Sequence, residues 1–143
     1  MGQFPSRGCL ISDAVTDTHG LIWYLENDAR LGSQARATFE ASDQGELTVY
    51  IPIICMVEIV YLVEKGRIPP HFKSRLDSIL KARTSGLDLI DLSPAIVDAL
   101  TEVPRTAVPD MPDRLIAATA LHMGLPLISK DSRIQLSNVL TIW

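Results

Sequence analysis

The sequence predicts an α/β protein whose parallel sheet carries helices on both faces, and two features of its pattern carry that expectation. Short, almost wholly apolar stretches recur along the chain, as the strands of a parallel sheet covered on both faces do. Most of them alternate with helix-length segments, the order that builds βαβ units. No internal repeat, low-complexity tract or linker breaks the pattern. A chain of 143 residues with 47% apolar content therefore suits one domain over residues 10–143, preceded by a flexible extension over 1–9.

The elements follow in order. Leu10, Ile11 and Val15 mark a first strand over 10–16, in spite of Asp13, and it ends at Asp17. In DTHGLIWYL the residues Leu21, Ile22 and Leu25 recur at helical spacing, with Asp17 or Thr18 as N-cap and Gly20 as a weakening residue. Ser33 caps a second helix over 33–42 that ends near Gly45. LTVYI over 47–51 is rich in β-formers and runs into a helix over 52–65, with Pro52 in its first turn. Gly66 stops that helix, and 67–70 is a loop. Residues 71–83 form an amphipathic helix with Phe72, Leu76, Ile79 and Leu80 on one face. Its Lys73, Arg75, Lys81 and Arg83 are either a solvated face or a nucleic-acid contact. LDLIDL over 87–92 is a strand, and Ser93 caps a helix to 101 with Pro94 at its first position. After a loop over 104–109, Asp110 to Asp113 open the helix RLIAATALHM, which Gly124 stops. PLIS over 126–129 is a strand, Asp131 caps a short turn through Leu136, and VLTI over 139–142 is the last strand.

Composition narrows the function. The net charge of −4 argues against a nucleic-acid binder that relies on bulk positive charge, but not against an acidic cleft that meets phosphates through cations. A cytoplasmic location with no membrane association is expected. No run reaches the roughly 18 apolar residues of a membrane span, and MGQFPSRGC lacks a signal peptide's apolar core. Cys9 and Cys55 make neither a disulfide framework nor a zinc site, and Cys55 reads as a small hydrophobe.

The helix over 52–65 poses the chemical question. Ile53 through Val57 and Ile59 through Val63 are apolar apart from the phenol of Tyr61, so the helix should be buried among other elements. Glu58 sits in its middle. A carboxylate there is costly to desolvate unless it is paired, protonated or bound to a metal. The plainer alternative is a wet stripe of Glu58, Tyr61 and Lys65.

Topology supplies company for Glu58. In a parallel sheet the carboxyl ends of the strands and the amino ends of the following helices share one edge, where such folds place their sites. Asp17, Asp113 and Asp131 fall at that edge, and Glu58 lies under two turns into its helix. Singly, Asp17 and Asp131 read as N-caps and Asp113 as a complement to the helix dipole. Jointly, such carboxylates cannot all ionise within a few ångströms of one another unless divalent cations neutralise them. Hard oxygen ligands without a His or Cys set favour Mg²⁺ or Mn²⁺, and such sites support phosphoryl transfer.

Asp17-Thr18-His19 with Trp23, Glu58 in VEIVYLVEKGRI, Asp113 in PDRLIAATA and Asp131 in LISKD, in that order and spacing, resemble the PIN domain. More narrowly they resemble the VapC-type ribonuclease toxins of toxin–antitoxin operons. The resemblance runs from about residue 10 to the end. It implies a three-layer α/β/α fold with a four- or five-stranded parallel sheet, and a Mg²⁺- or Mn²⁺-dependent endoribonuclease that pairs with a cognate antitoxin and forms a homodimer. It assigns Asp17, Glu58, Asp113 and Asp131 as the catalytic and metal-binding quartet. The chain departs from the family pattern in having Cys55 where a Ser is common, Ser129 where a Thr is common, and a longer N-terminal extension.

Several neighbours are weaker candidates. Thr18, Ser129, Arg114 and Lys130 are placed to touch the RNA substrate, and Asp110 is either an outer acid or only a cap. His19 is expected to make a local hydrogen bond at the helix start, and Trp23 to anchor the core. No Gly-x-Ser-x-Gly elbow or Gly-rich phosphate loop is present. The rival readings are a PIN-like RNA- or protein-binding module without turnover, and a metal-dependent nuclease outside any toxin system.

Overall fold

The computed structural model describes residues 12–135 and 138–143. Its strands are short: β1 (Ala14–Thr16), β2 (Val49–Pro52), β3 (Leu87–Ile90), β4 (Leu127–Ile128) and β5 (Thr141–Ile142). They form one five-stranded sheet in the order β3-β2-β1-β4-β5. Every neighbouring pair is parallel, with Val15 opposite Tyr50 on one side and opposite Leu127 on the other. Between the strands run α1 (Thr18–Leu25), α2 (Ser33–Asp43), α3 (Ile53–Glu64), α4 (His71–Ala82), α5 (Pro94–Ala99), α6 (Met111–Met123) and α7 (Ser132–Gln135). A 3₁₀ turn over Leu100–Glu102 extends α5. The α/β class and the parallel sheet are as the sequence predicts, and the strand count is the larger of the two expected.

Strand order reverses at β1. The chain first builds outward through β2 and β3, then returns to place β4 on the other side of β1. In folds with such a switch point, sites lie at the carboxyl ends of the strands beside it, here β1 and β4. The core around this point is dry: Val15, Leu21, Phe39, Ile51, Ile59, Ile116, Leu127 and Ile128 are buried.

The later strands keep their places but not their expected ends, and three elements differ from the sequence expectation for a visible reason. β1 begins at Ala14 rather than at residue 10, of which the first two expected positions lie outside the described residues. Ahead of it, a carboxylate replaces the ladder: Asp13 Oδ1 accepts the Thr48 amide at 2.8 Å. The cap of α2 is Gly32, not Ser33, and no side chain caps it. The Trp143 carbonyl does that work, accepting from Gln34 N at 3.1 Å and Ala35 N at 3.3 Å. A Cβ on Gly32 would come within 2.3 Å of that oxygen, so the close approach requires glycine.

The third difference is α3. Pro52 closes β2 and is the residue before the helix, rather than lying inside its first turn. Only Cys55, Met56 and Ile59 of α3 are buried, while Val57 and Tyr61 are 46% and 58% exposed. The helix packs against α1, α4 and α6, and that leaves its remaining side open. Residues 1–9, expected as a flexible extension, and Leu136, expected to end the turn after Asp131, lie outside the described residues.

Asp13 offers a test of how β1 is terminated. Asp13→Ala strips the Thr48 amide of its partner and should cost about 1–2 kcal/mol in urea unfolding. Asp13→Asn retains an acceptor and should cost less. Equal losses in the two variants would show that the acceptor oxygen is not what matters.

Candidate active site

Asp17 ends β1 and opens α1. Its extended backbone makes it the N-cap, and Oδ1 accepts the Gly20 amide at 2.8 Å. Gly20 does more than weaken the helix. A Cβ there would stand 3.0 Å from both Asp17 Oδ1 and Thr16 Oγ1 and 3.2 Å from Ile128 Cγ2, so glycine lets the cap sit down on β4. Burial pushes the Asp17 carboxyl above its usual range and the charge of Glu58 adds to this, against the Gly20 amide, the Ser129 hydroxyl and His19.

Ser129 is fully buried and ties two acids together. Its hydroxyl hydrogen-bonds Asp17 and accepts the Asp131 amide at 3.1 Å. Thr18, also buried, donates its hydroxyl to Glu58 Oε1. Glu58 therefore reaches from α3 to the start of α1, and its half-buried position reflects a specific partner rather than a merely wet stripe. Beneath them the buried Cys55 thiol faces the Thr16 carbonyl at 3.8 Å, and burial pushes its pKa up, so it stays protonated.

Asp113 occupies the first turn of α6, and Asp131 precedes α7. Burial, followed by the charges of Asp110, Glu58 and Asp131, pushes Asp113 up to about 6. Asp110 is the positional N-cap of α6 but makes no capping hydrogen bond, so its charge acts chiefly on Asp113. Asp131 goes the other way, because hydrogen bonds from Arg133 hold its carboxyl below the usual range. Arg133 donates through Nε at 3.2 Å and Nη2 at 3.0 Å to Asp131, and Nη2 lies 3.6 Å from Asp113 Oδ2. Acids from β1, α3, α6 and the segment after β4 thus share one electrostatic field at the sheet's carboxyl edge.

The chemistry of this donor set fits a hard divalent cation: the groups are carboxylate oxygens, and Asp17 and Asp113 resist ionising together with Glu58. Among the described residues no three His, Cys, Asp or Glu side chains already stand close enough to hold one ion.

The weaker candidates separate. Arg114 does not face the edge, since its Nε and Nη2 donate to the Val103 and Leu100 carbonyls at 2.8 and 2.7 Å; it pins the turn after α5 instead of holding a phosphate. Thr18 and Ser129 are too deeply buried to meet a substrate and instead position Glu58 and Asp17. Lys130 is exposed, with Nζ 4.9 Å from the Trp23 ring centroid. His19 contacts that indole through its ring, in place of the local hydrogen bond expected, and Trp23 is a buried anchor. Arg133 is the residue the sequence reasoning missed. Its only signal was its place two residues after Asp131, where an Asx turn aims it back at the acid: Arg133 N donates to Asp131 Oδ1 at 2.9 Å.

A five-stranded parallel sheet with coupled acidic side chains at its switch point defines an α/β protein with a candidate hydrolytic site. The PIN domain family model matches residues 14–139, and the chain belongs to that family. A relative named Ribonuclease VapC22, from Mycobacterium tuberculosis (strain ATCC 25618 / H37Rv), is 25% identical over 125 residues, covering 87% of this chain and 92% of the relative. VapBC2 from Rickettsia felis, solved bound to a promoter DNA fragment, aligns with a TM-score of 0.65 at 19% identity over 91% of this chain and 97% of the matched one. A toxin–antitoxin complex from Klebsiella pneumoniae aligns with a TM-score of 0.61 at 21% identity, over 91% and 96% of the two chains. FitAB bound to a DNA fragment gives 0.63 at 13% identity, over 90% and 93%. These structural likenesses establish the fold.

The raised Asp113 pKa has a stability consequence. Its folded value near 6 exceeds the unfolded value, so its cost is absent below the unfolded pKa and grows as pH rises toward the folded one. Asp113→Asn should therefore stabilise the metal-free protein at about pH 7.5 by on the order of 2 kcal/mol, and hardly at all near pH 3.5. Thermal melts in EDTA at the two pH values measure this. A gap independent of pH would remove Asp113 from the shared field.

Proposed function

We propose that this chain is a Mg²⁺- or Mn²⁺-dependent endoribonuclease, the VapC-like toxin of a toxin–antitoxin pair. The observation that supports the reading is the electrostatic coupling of Asp17, Glu58, Asp113 and Asp131: burial and then the charges of Asp110, Glu58 and Asp131 raise Asp113 to about 6, and Glu58 adds to the rise that burial gives Asp17. The name of the M. tuberculosis relative and the toxin–antitoxin complexes among the structural neighbours support the substrate and partner classes.

In this reading the four carboxylates hold the metal. When bound, a divalent ion supplies an activated water for attack on a phosphodiester and neutralises charge on the phosphate. The chain's own contribution is placement. The Gly20 amide and the Ser129 hydroxyl fix Asp17, and the Thr18 hydroxyl fixes Glu58. Pre-set ligands of this kind avoid reorganisation cost during the reaction. The scissile phosphate would have to reach the acids at the sheet edge, and a single-stranded or looped RNA presents it most readily, so that is the proposed substrate class. Lys130, exposed beside Asp131, is the remaining candidate for a substrate phosphate.

The open side of α3 suits a second copy. Val57 lines a cavity with Pro52, Ile54, Leu92 and Leu115, Leu92 is 48% exposed, and Val60 and Tyr61 are exposed on the same helix. Pairing two such faces would bury these exposed apolar side chains. Among the described residues no helix is long and apolar enough to cross a membrane, and the proposed place of action is the cytoplasm.

Two measurements test the reading. Purified protein should cleave single-stranded RNA with Mn²⁺ or Mg²⁺ and lose the activity in EDTA, and Asp17→Asn should lower turnover about a hundredfold or more while staying folded. Undiminished cleavage in excess EDTA would sink the metal-dependent mechanism. For association, light scattering at tens of micromolar should give a dimer, and Val57→Glu with Tyr61→Glu should give a monomer; a monomeric parent protein would rule out the α3 interface.

A further inference from the structure

We propose that Arg133 is the site's internal counter-cation: it holds Asp131 and Asp113 in the metal-free protein and must release them for a divalent ion, so that it sets the affinity for that ion. This rests on the metal-dependent reading above and adds a residue to it.

The geometry is specific. Arg133 addresses both oxygens of Asp131, through Nε to Oδ1 at 3.2 Å and Nη2 to Oδ2 at 3.0 Å. The same Nη2 lies 3.6 Å from Asp113 Oδ2. One guanidinium thus links acids from two elements that are 18 positions apart in the chain, numbers 113 and 131. The fork suits a carboxylate as a point charge would not. The Asx turn fixes its direction, because the backbone amide of Arg133 donates to the same Asp131 oxygen.

No other described cation does this. Arg114 is committed to the Leu100 and Val103 carbonyls, and Lys130 lies over Trp23. Around Arg133 stand Asp131, Asp113 and Asp110, so removing it leaves their repulsion unopposed. Its contact is also easy to give up. The Arg133 side chain is 51% exposed, and an ion pair so open to water and salt is weakly held. Such a pair can neutralise the acids in the free protein and still yield to a divalent ion. The two cations compete for the same oxygens, and each weakens the other's binding by the same factor. Once displaced, the guanidinium stays beside the edge, where a substrate phosphate can take the place of the carboxylates.

The test is calorimetric titration of Mn²⁺ into metal-free wild type, Arg133→Ala and Arg133→Lys, with melting temperatures in EDTA alongside. Arg133→Ala should bind Mn²⁺ about three- to tenfold more tightly than wild type and melt lower in EDTA. Arg133→Lys, with its charge but no fork, should fall between them. Equal Mn²⁺ affinity in wild type and Arg133→Ala, or weaker binding by the alanine variant, would overturn the proposal and leave the metal-dependent reading standing. If wild type and both variants bind no Mn²⁺, the metal-dependent reading falls and this proposal with it. Arg133 is exposed, so the variants are not expected to fail to fold; if Arg133→Ala does fail, the comparison of wild type with Arg133→Lys decides, equal affinity again counting against the proposal.

Discussion

The structure depends on one half-buried carboxylate, Asp17. It terminates β1, caps α1 through the Gly20 amide, and meets Ser129 at the end of β4. A single side chain therefore joins the two strands between which the sheet reverses direction. Burial there is unfavourable to its charge, and the fold accepts that cost because the same placement brings Glu58 into range. Glycine at position 20 is the concession that makes it possible, since any Cβ would press on Asp17, Thr16 and Ile128. Capping and site-building are thus one arrangement rather than competing explanations of Asp17.

The same overlap explains what could be read in the sequence. Parallel-strand apolar runs, the Ser93-Pro94 helix start and the Gly124 stop all follow from local chemistry, and each appears in the structure. The placement of the acids at one edge followed from βα topology alone, because strand ends and helix starts share that edge. What local chemistry could not supply were partners distant in sequence. The Trp143 carbonyl displaces Ser33 as the cap of α2 from over 100 positions away, and Asp13 substitutes for a strand residue by reaching Thr48. Arg114 looked like a phosphate ligand because it adjoins Asp113, yet one step along a helix turns a side chain by about 100°, away from the edge. Adjacency in sequence is a poor guide to adjacency at a helical site.

The buried hydroxyls show why the family departures matter little to placement. Thr18 and Ser129 spend their hydrogen bonds on the acids, and Cys55 supplies a protonated thiol beneath them. A hydroxyl at position 129 needs only one oxygen that can donate to Asp17 and accept from the Asp131 amide, and serine meets that need as threonine would. A thiol at 55 is a weaker partner, but it borders the Thr16 carbonyl rather than a carboxylate, so no acid loses a hydrogen bond by it.

The acids are consequently unequal. Asp17 and Asp113 are pushed toward protonation by burial, whereas Asp131 is held ionised by Arg133. In metal-free protein the edge thus balances its charge in two ways: by discouraging ionisation where water is excluded, and by supplying a cation where water is near. The second device is confined to the exposed side because a guanidinium paired there can exchange with solvent ions, while one buried beside Asp17 would be costly to dislodge. The contrast between carboxyls raised by burial and one lowered by Arg133 therefore orders the site. Asp17 is a fixed point set by the backbone, Glu58 is tied to it through Thr18, and Asp113 and Asp131 form the side whose charge partner can change without disturbing the sheet.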